Sequence, residues 1–300
     1  MFVCFFPSSC ETRRDFFYYF MSFLVFIYIY YKKEDMKYKI CWITLCYNEI
    51  DILPFVSKYW EKTGVDKVVV FDNGSTDGSL EYLASLPYVS IRHFDSTGQN
   101  DIIQKQVKEE AYKEYKDSYD IIIITDMDEV FYFYDFKALV KLIIDGGYNC
   151  MVTPIYSLCE DLKPQPEEGK YLHQLCHKFY KQKMNHMKGF ESVSKISIFN
   201  CKITDSVSMS VGQHYVYTNP GMRIMLSNDG FCLHIDKGFG LEYKYKIRQK
   251  MWENLSEENK KGGMCLEYND SYEKLKRDYE NNQENSFDIN VIYDDKHNNN

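Results

Sequence analysis

Three acidic residues follow directly on a run of isoleucines at Ile121–Thr125, and their types and spacing could do chemistry. They are Asp126, Asp128 and Glu129. Packed carboxylates repel one another and cost free energy when they leave water, so we expect a positive charge beside them. The Asp-x-Asp pair offers the oxygen ligands that Mg²⁺ and Mn²⁺ prefer. Alternate residues of a strand point to opposite faces, so the chain must bend at Met127 for both carboxylates to reach one cation.

Two further polar clusters follow apolar runs earlier in the chain. Asn48 and Glu49 come after the run 40–46, and the segment DNGSTDG at 72–78 comes after the run 67–71. The Asn-Gly pair in this segment indicates a turn. Each cluster alone has an ordinary interpretation as a turn or a helix cap. Three such clusters after three apolar runs favour one shared site.

Strand and helix patterns alternate over the first half of the chain, which predicts βαβ units and a mostly parallel sheet flanked by helices. In such α/β folds, ligands bind beyond the carboxyl ends of the strands, where all three clusters fall. After Pro154 the pattern becomes more irregular. We predict strands at 40–46, 67–71, 89–93, 121–125 and 150–156, further strands within 194–200 and 230–236, and helices near 52–63, 76–86, 102–115, 136–144 and 243–255.

Composition narrows the functional class. The chain has 300 residues, a formal net charge of −8 and 45% hydrophobic residues. This balance predicts a globular protein with a sizeable core and gives no basic footprint for nucleic acid. The ten cysteines are scattered without a C-x-x-C pair, which favours reduced thiols and a cytoplasmic location.

The first 35 residues are set apart from the fold prediction. Residues 16–31 are apolar and tyrosine-rich, but they fall short of the roughly 20 residues that a membrane-spanning helix needs. They could form a signal anchor or an interfacial helix that brings the protein to a membrane. We favour a third interpretation, in which the working protein starts at Met36. The expected organisation is an N-terminal extension at 1–35, an α/β domain at 36–255, and a polar, partly disordered tail at 256–300.

The motifs CYNE, VVVFDNGSTDGS and IITDMDEVF, in this order, resemble those of family 2 glycosyltransferases with the GT-A fold. The resemblance covers roughly Ile40 to His234. It implies transfer of a sugar from a nucleotide-diphosphate-sugar, with UDP favoured, and Mn²⁺ or Mg²⁺ as cofactor. The acceptor that it implies is a saccharide or a lipid-linked glycan.

The resemblance also implies roles for individual residues. Asp128 would ligate the metal ion, and Asp126 would face the ribose or the metal. His234 is a candidate second ligand, with a packed histidine as its alternative, and His214 is a weaker candidate. Lys195, Lys244 and Lys246 could neutralise phosphate or lie on the surface. The residues expected to contact the donor are Asn48, Glu49, Asp72, Asn73, Gln99, Asp101 and Asp126.

An inverting transferase needs a base near the acceptor hydroxyl. The family supplies an acid downstream of the Asp-x-Asp pair. Two candidates stand here, Asp161 in a Glu-Asp pair and Glu191, and we favour Glu191 slightly because of its spacing.

Two other functions compete with this interpretation. The strand followed by Asp-x-Asp also fits haloacid-dehalogenase-like phosphatases, in which the first Asp is a nucleophile and Mg²⁺ is bound. Those enzymes carry the motif near the start of the domain, whereas here about ninety residues precede it after Met36. The second competitor is a protein that binds a nucleotide-sugar without turnover.

Overall fold

The acidic cluster lies at the edge of a twisted α/β sheet in the computed structural model, which describes residues 38–96, 98–181, 195–213, 215–236 and 238–298. The strands are β1 (Ile40–Cys46), β2 (Lys67–Asp72), β3 (Val89–His93), β4 (Ile121–Asp126), β5 (Glu129–Phe133), β6 (Cys150–Val152), β7 (Ile155–Leu158), β8 (Phe179–Lys181), β9 (Ile198–Asn200), β10 (Ser206–Met209), β11 (Val216–Asn219), β12 (Ile224–Leu226) and β13 (Gly230–His234). The helices are α1 (Leu53–Thr63), α2 (Ser79–Ala84), α3 (Asp101–Tyr115), α4 (Phe136–Asp145), α5 (Leu172–Leu175), α6 (Leu241–Glu253), α7 (Glu257–Lys261), α8 (Tyr272–Glu284) and α9 (Ile289–Asn298), with short 3₁₀ turns at Val211–Gln213 and Leu266–Asn269.

The main sheet has the strand order β12-β6-β9-β4-β1-β2-β3. Strands β4, β1, β2 and β3 are parallel, and β9 runs antiparallel between β4 and β6. In the register of the sheet, Cys46 stands opposite Asp72, and Leu45 stands opposite Asp126. The carboxyl ends of β1, β2 and β4 therefore meet at one edge, as the sequence predicts.

The parallel strands are buried on both faces, which explains their continuous apolar character. Trp42, Val68 and Ile123 face the side covered by α1 and α4. On the other face, Ile43 and Ile124 belong to the core that includes residues of α3. The indole nitrogen of Trp42 on β1 donates to the Thr125 hydroxyl on β4 at 2.8 Å, whereas the buried Thr44 hydroxyl on β1 has no hydrogen-bond partner among the described residues.

A second sheet, in the order β5-β13-β7-β8, begins where the acidic cluster turns the chain. Strand β4 ends at Asp126 and β5 begins at Glu129, which confirms a bend at Met127. In the antiparallel pair β13–β5, His234 stands opposite Glu129. The backbone N–H of Ile235 also donates to the carbonyl of Asp128 at 2.8 Å. This pairing brings residues about a hundred positions apart to the same turn.

Two sequence expectations differ from the structure. The single strand expected at 150–156 is split into β6 and β7, which belong to different sheets. The split falls at Pro154, which has no N–H to donate to a ladder. The tail expected to be partly disordered forms α7, α8 and α9 instead. These helices bury apolar side chains at four-residue spacing, namely Leu275 with Tyr279 and Ile289 with Tyr293.

The apolar stretch at 16–31 lies outside the described residues. In the part of the chain that is described, no helix is long and apolar enough to cross a bilayer. The cysteines described there all carry free thiols, as expected from their scattered positions.

Candidate active site

A cavity of about 430 Å³ opens at the edge where the three strands end. This volume is typical of small-molecule and cofactor sites. Most of the residues singled out from the sequence line it, although they come from seven separate stretches of the chain. Those in the wall are Glu49, Asn73, Gln99, Asp101, Asp126, Asp128, Lys195, His234 and Lys244.

Asn48 and Asp72 are not in the cavity wall. The buried Asp72 carboxylate accepts from the backbone N–H of Gly74 at 2.9 Å and of Ser75 at 3.1 Å, and from the Ser75 hydroxyl. Asn48 lies in the left-handed region at φ 55°, and its side-chain oxygen accepts from the N–H of Thr76 at 2.8 Å. Both residues therefore hold the DNGSTDG turn against the end of β1, and the donor contacts expected of them stay a prediction.

Asn73 keeps its position in the wall through a reciprocal pair of hydrogen bonds. Its amide nitrogen donates to the Ser96 hydroxyl at 2.7 Å, and the Ser96 backbone N–H donates to its side-chain oxygen at 3.1 Å. Because Ser96 is fully buried, this pair ties the end of β2 to the loop after β3. The Gln99 amide donates to the Asp101 carboxylate at 3.0 Å in the same loop.

Two lysines supply the positive charge expected beside the acidic cluster. Lys108 of α3 lies 2.7 Å from one carboxylate oxygen of Asp126, and Lys195 lies 3.0 Å from the other. Lys195 also lies 2.7 Å from Glu129. Burial disfavours the Lys195 ammonium, but the Glu129 and Asp126 carboxylates outweigh it and raise its pKa above the ordinary lysine value. Sequence reasoning missed Lys108, which occupies an ordinary position in a charged amphipathic helix.

The Gln213 side chain forms hydrogen bonds both to Lys108 and to the backbone next to this ionic cluster. Its side-chain oxygen accepts from the Lys108 ammonium at 3.2 Å, and its amide nitrogen donates to the carbonyls of Ile124 and Ile196 at 3.0 Å each. Gln213 is buried and adopts φ 58°, in the left-handed region. It therefore joins β4 to the segment that carries Lys195.

Asp128 and His234 form a separate pair on the cavity wall. The Asp128 Oδ2 and His234 Nε2 atoms lie 3.6 Å apart, and the other ring nitrogen of His234 lies 3.3 Å from the Ser157 hydroxyl. Burial alone would lower the pKa of His234, but the hydrogen bond and charge of Asp128 raise it above the ordinary histidine value. A carboxylate and an imidazole at this spacing suit a divalent cation, and the Ser157 contact orients the ring.

Asp128 and His234 would therefore supply two protein ligands to a metal ion. Both oxygens of Asp126 face lysine ammonium groups, whereas Asp128 faces His234. A cation shared by Asp126 and Asp128, as expected from their spacing, stays a prediction. Within the described ranges, no group of three or more His, Cys, Asp and Glu side chains is arranged to hold a metal ion. Further ligands would have to come from a bound substrate or from water.

A cationic wall stands beside the Asp128–His234 pair. Lys244 lies 2.9 Å from Asp236, and Arg248, one turn further along α6, lies 3.9 Å from the same carboxylate. Burial would raise the pKa of Asp236, but the charges of Lys244, His234 and Arg248 together outweigh it and lower that pKa. Both cations line the cavity, whereas Lys246 lines a separate shallow groove on the far side of the helix. Arg248 was not singled out from the sequence.

Of the two candidate catalytic bases, Asp161 and Glu191, the structure describes only Asp161. Asp161 is bound by Lys178 at 3.1 Å, Tyr279 at 3.1 Å and Gln283 at 2.7 Å, and it is not in the described wall of the cavity. Glu191 lies outside the described residues.

Among the described residues, no histidine besides His234 lines the cavity. His214 also falls outside the part of the chain that is described. His173 is buried and its Nδ1 lies 3.0 Å from the Tyr59 hydroxyl, whereas the exposed His177 faces Asp288. His173 and His177 lie four residues apart, which is the spacing of a helical metal pair, but they contact different partners and do not form one.

Comparison with known proteins assigns the family. The sequence profile described as glycosyl transferase family 2 matches residues 41–207, more than half of the chain. The chain belongs to glycosyl transferase family 2. The matched range contains all three sequence motifs, the whole β1–β4 edge and both lysines that hold Asp126.

Known structures similar to the chain include those of S. aureus TarS. A structure of TarS residues 1–349 has 14% sequence identity and a TM-score of 0.42, and the alignment covers 77% of this chain and 70% of that one. The same fragment in complex with UDP-GlcNAc has 14% identity and a TM-score of 0.40, over 77% and 71% of the two chains. Against a longer TarS structure the chain covers 42% of that protein. No curated protein sequence matches this chain.

This glycosyltransferase is an enzyme that uses a nucleotide-sugar, and its mostly parallel sheet flanked by helices is the GT-A fold expected from the motifs. The family assignment removes the phosphatase alternative. The Asp126 that would serve there as a nucleophile is instead held between two ammonium groups.

Proposed function

We propose that this glycosyltransferase takes its sugar from a UDP-sugar, requires Mn²⁺ or Mg²⁺, and transfers the sugar with inversion to a saccharide or lipid-linked acceptor. The observation that carries the proposal is the Asp128–His234 pair on the wall of the cavity into which three strand ends open. The use of a nucleotide-sugar as donor follows from membership of the family.

Asp128 and His234 would hold the cation, which supplies Lewis-acid stabilisation to the charge on a departing diphosphate. Lys244 and Arg248 line the same cavity, and their positive charges would orient and neutralise the phosphates. Asp126, with a lysine on each carboxylate oxygen, would act as an anchor that keeps Lys195 in the wall.

The nucleoside would bind toward the ends of β1 and β2 and the loop after β3. Glu49, Asn73, Gln99 and Asp101 line this part of the cavity. Their carboxylate and amide oxygens can accept hydrogen bonds from the uracil N–H and from ribose hydroxyls. These contacts bind the donor but take no part in the bond that breaks.

An inverting transfer needs a carboxylate that removes the proton of the acceptor hydroxyl as the sugar carbon is attacked. Glu191 is the candidate that the sequence favours. Asp161 is less suited to this role because Lys178 stabilises its charge and holds its pKa below the ordinary value, although its partial burial opposes that shift. A lowered pKa weakens a base.

The test is binding of UDP to the full chain by calorimetry, with and without Mn²⁺. We expect UDP binding to require the metal, and Asp128→Asn to weaken it by about tenfold or more, since even the indirect partners of metal ligands contribute that much. Asp117→Asn, at a side chain that is 83% exposed, is the matched control and should leave binding unchanged.

Two results would contradict the proposal. One is a folded protein that binds no UDP in the presence of Mn²⁺, and the other is an Asp128→Asn variant that binds UDP as well as the wild type. Release of UDP from UDP-sugars then measures turnover. Metal-dependent binding without any turnover would show a nucleotide-sugar-binding protein instead of an enzyme.

A further inference from the structure

The segment that follows helix α6 lies along the loop that precedes helix α3. The backbone N–H of Gln99 donates to the carbonyl of Asn254 at 2.8 Å, and the N–H of Ser256 donates to the carbonyl of Gln99 at 3.0 Å. Residues 254–268, which we name the C-terminal strap, therefore continue the hydrogen bonding of this loop. The strap begins well beyond residue 207, where the family match ends.

Side chains fix the strap at the next two positions of the loop. The Asn100 amide donates to Glu258 at 2.7 Å, while its oxygen caps helix α3. The backbone N–H of Asp101 donates to the side chain of the fully buried Asn259 at 3.3 Å, and the Cys265 thiol donates to the Asp101 carboxylate at 2.9 Å. Consecutive contacts of this kind hold two backbones in one register.

Gly98 makes the close approach possible. It adopts φ +91°, and a Cβ atom there would lie 2.3 Å from the carbonyl oxygen of Asn254. Real Cβ atoms do not approach backbone oxygens so closely, so any side chain at this position would push the strap away. The close contact between the strap and the loop therefore requires glycine at position 98.

Docking of the strap completes the cavity wall. Glu267 and Tyr268 of the strap line the same cavity as Asp128 and His234. The strap that carries them is bonded to Asn100 and Asp101 in the segment that follows β3, whereas Asp128 follows β4, three strands away in the order β4-β1-β2-β3.

The charges at the two ends differ. The carboxylates of Asp101 and Glu267 make the strap end unfavourable for phosphates but suitable as acceptors for hydroxyl and N–H groups. A diphosphate held at His234 would place its nucleoside toward this end. An aromatic ring on that wall offers a stacking surface, which every nucleobase can use.

We propose that the C-terminal strap walls the nucleoside end of the donor site, and that Tyr268 contacts the nucleoside of the bound nucleotide-sugar. The strap is then a donor-binding element that lies outside the region shared with the family. This inference rests on the proposed function, because it places the diphosphate at the Asp128–His234 pair.

The test uses the full chain with Tyr268→Ala and Tyr268→Phe, titrated with UDP and with ADP in the presence of Mn²⁺. Tyr268→Ala should weaken UDP binding about tenfold, and Tyr268→Phe, which keeps the ring, about twofold or less. Tyr268→Ala should also weaken ADP binding, because every nucleobase can stack on the ring. Tyr217→Ala, at an exposed tyrosine on β11, is the matched control and should bind UDP like the wild type.

A second pair of variants tests the docking of the strap. Gly98→Ala and Gly169→Ala both place a side chain at a positive φ, but a Cβ at Gly169 would meet nothing within 4 Å. Gly98→Ala should therefore lower UDP affinity in a protein that remains folded by circular dichroism, and Gly169→Ala should not.

The outcomes separate this inference from the proposed function. If the wild type binds UDP with Mn²⁺ and Tyr268→Ala binds it equally well, the strap inference is wrong and the proposed function stands. An effect of Tyr268→Ala on acceptor KM alone would also overturn the strap inference. If the wild type binds no UDP, the proposed function fails first.

Discussion

Lys195→Met should destabilise the protein because it removes the only cation that the structure shows beside Glu129 among the described residues. The Lys195 ammonium lies 2.7 Å from Glu129, whose side chain is 3% exposed, and 3.0 Å from Asp126, whose side chain is 29% exposed. Methionine keeps the length and apolar stem of lysine but leaves the Glu129 carboxylate buried without this partner.

The size of the effect follows from these distances. At an effective dielectric constant of 20, a pair 2.7 Å apart attracts by about 6 kcal/mol. Desolvation offsets much of this, and breaking a buried pair from one side costs about 3–5 kcal/mol. Asp126 adds little to the loss because Lys108 stays 2.7 Å from it. We therefore expect a loss of about 3 kcal/mol in the free energy of unfolding.

Urea unfolding at pH 7 measures this loss. The pKa of Lys195 is raised, so the stabilisation is fully present below the ordinary lysine value of about 10.4 and is lost only as the pH rises through the folded value. Lys202→Met is the matched control. Its ammonium pairs with Asp120 but its side chain is 57% exposed, so the loss should stay below about 1 kcal/mol.

A double-mutant cycle with Glu129→Gln separates the pair from other effects of the substitution. The double variant should recover about 2 kcal/mol relative to the sum of the single losses. A loss below about 1 kcal/mol for Lys195→Met, or strict additivity in the cycle, would refute the reasoning that this pair is buried and coupled.

Two further predictions concern other parts of the fold. Asp72→Asn should cost about 1.5–3 kcal/mol in urea unfolding, because its buried carboxylate accepts three hydrogen bonds from the DNGSTDG turn, and a loss below about 0.5 kcal/mol would contradict this account. Burial lowers the pKa of His173 to about 3, so the unfolded chain binds a proton below pH 6.5 that the folded protein does not. Stability from this residue is therefore lost as the pH falls, by about 2 kcal/mol between pH 7 and pH 5. His173→Phe should reduce the measured difference between those pH values by that amount, and an unchanged difference would show that His173 is protonated in the folded state.

Local pattern predicted the strands that build the site edge. The predicted bounds of β1 and β3 agree with the structure, and those of β2 and β4 fall one residue short at the final aspartate. Strands buried on both faces are continuous apolar runs, and each run here is ended by a polar turn that the chain cannot bury. The four-residue spacing of Leu275 and Tyr279 is also typical of a helix. The polar composition of the C-terminal tail favoured a prediction of partial disorder instead.

Local sequence did not predict which partners the side chains of individual site residues would bind. Asp72 and Asn48 lie in the motif that the sequence identifies, yet their side chains are used by the turn itself. Asp126 was expected to face a metal or ribose, and the structure gives both its oxygens to lysines. A motif records which residue types are present, but a carboxylate binds whichever donor packing brings nearest.

The sequence by itself determined the family, the sheet edge and the residue types gathered there, because each depends on neighbours within a few positions. Only the tertiary structure decided which charges pair. Lys195 reaches Asp126 across 69 positions, and the strap reaches Asn100 across 158. Such contacts leave no periodic trace in the chain, since their partners are set by how the sheets and helices pack and not by local backbone preference.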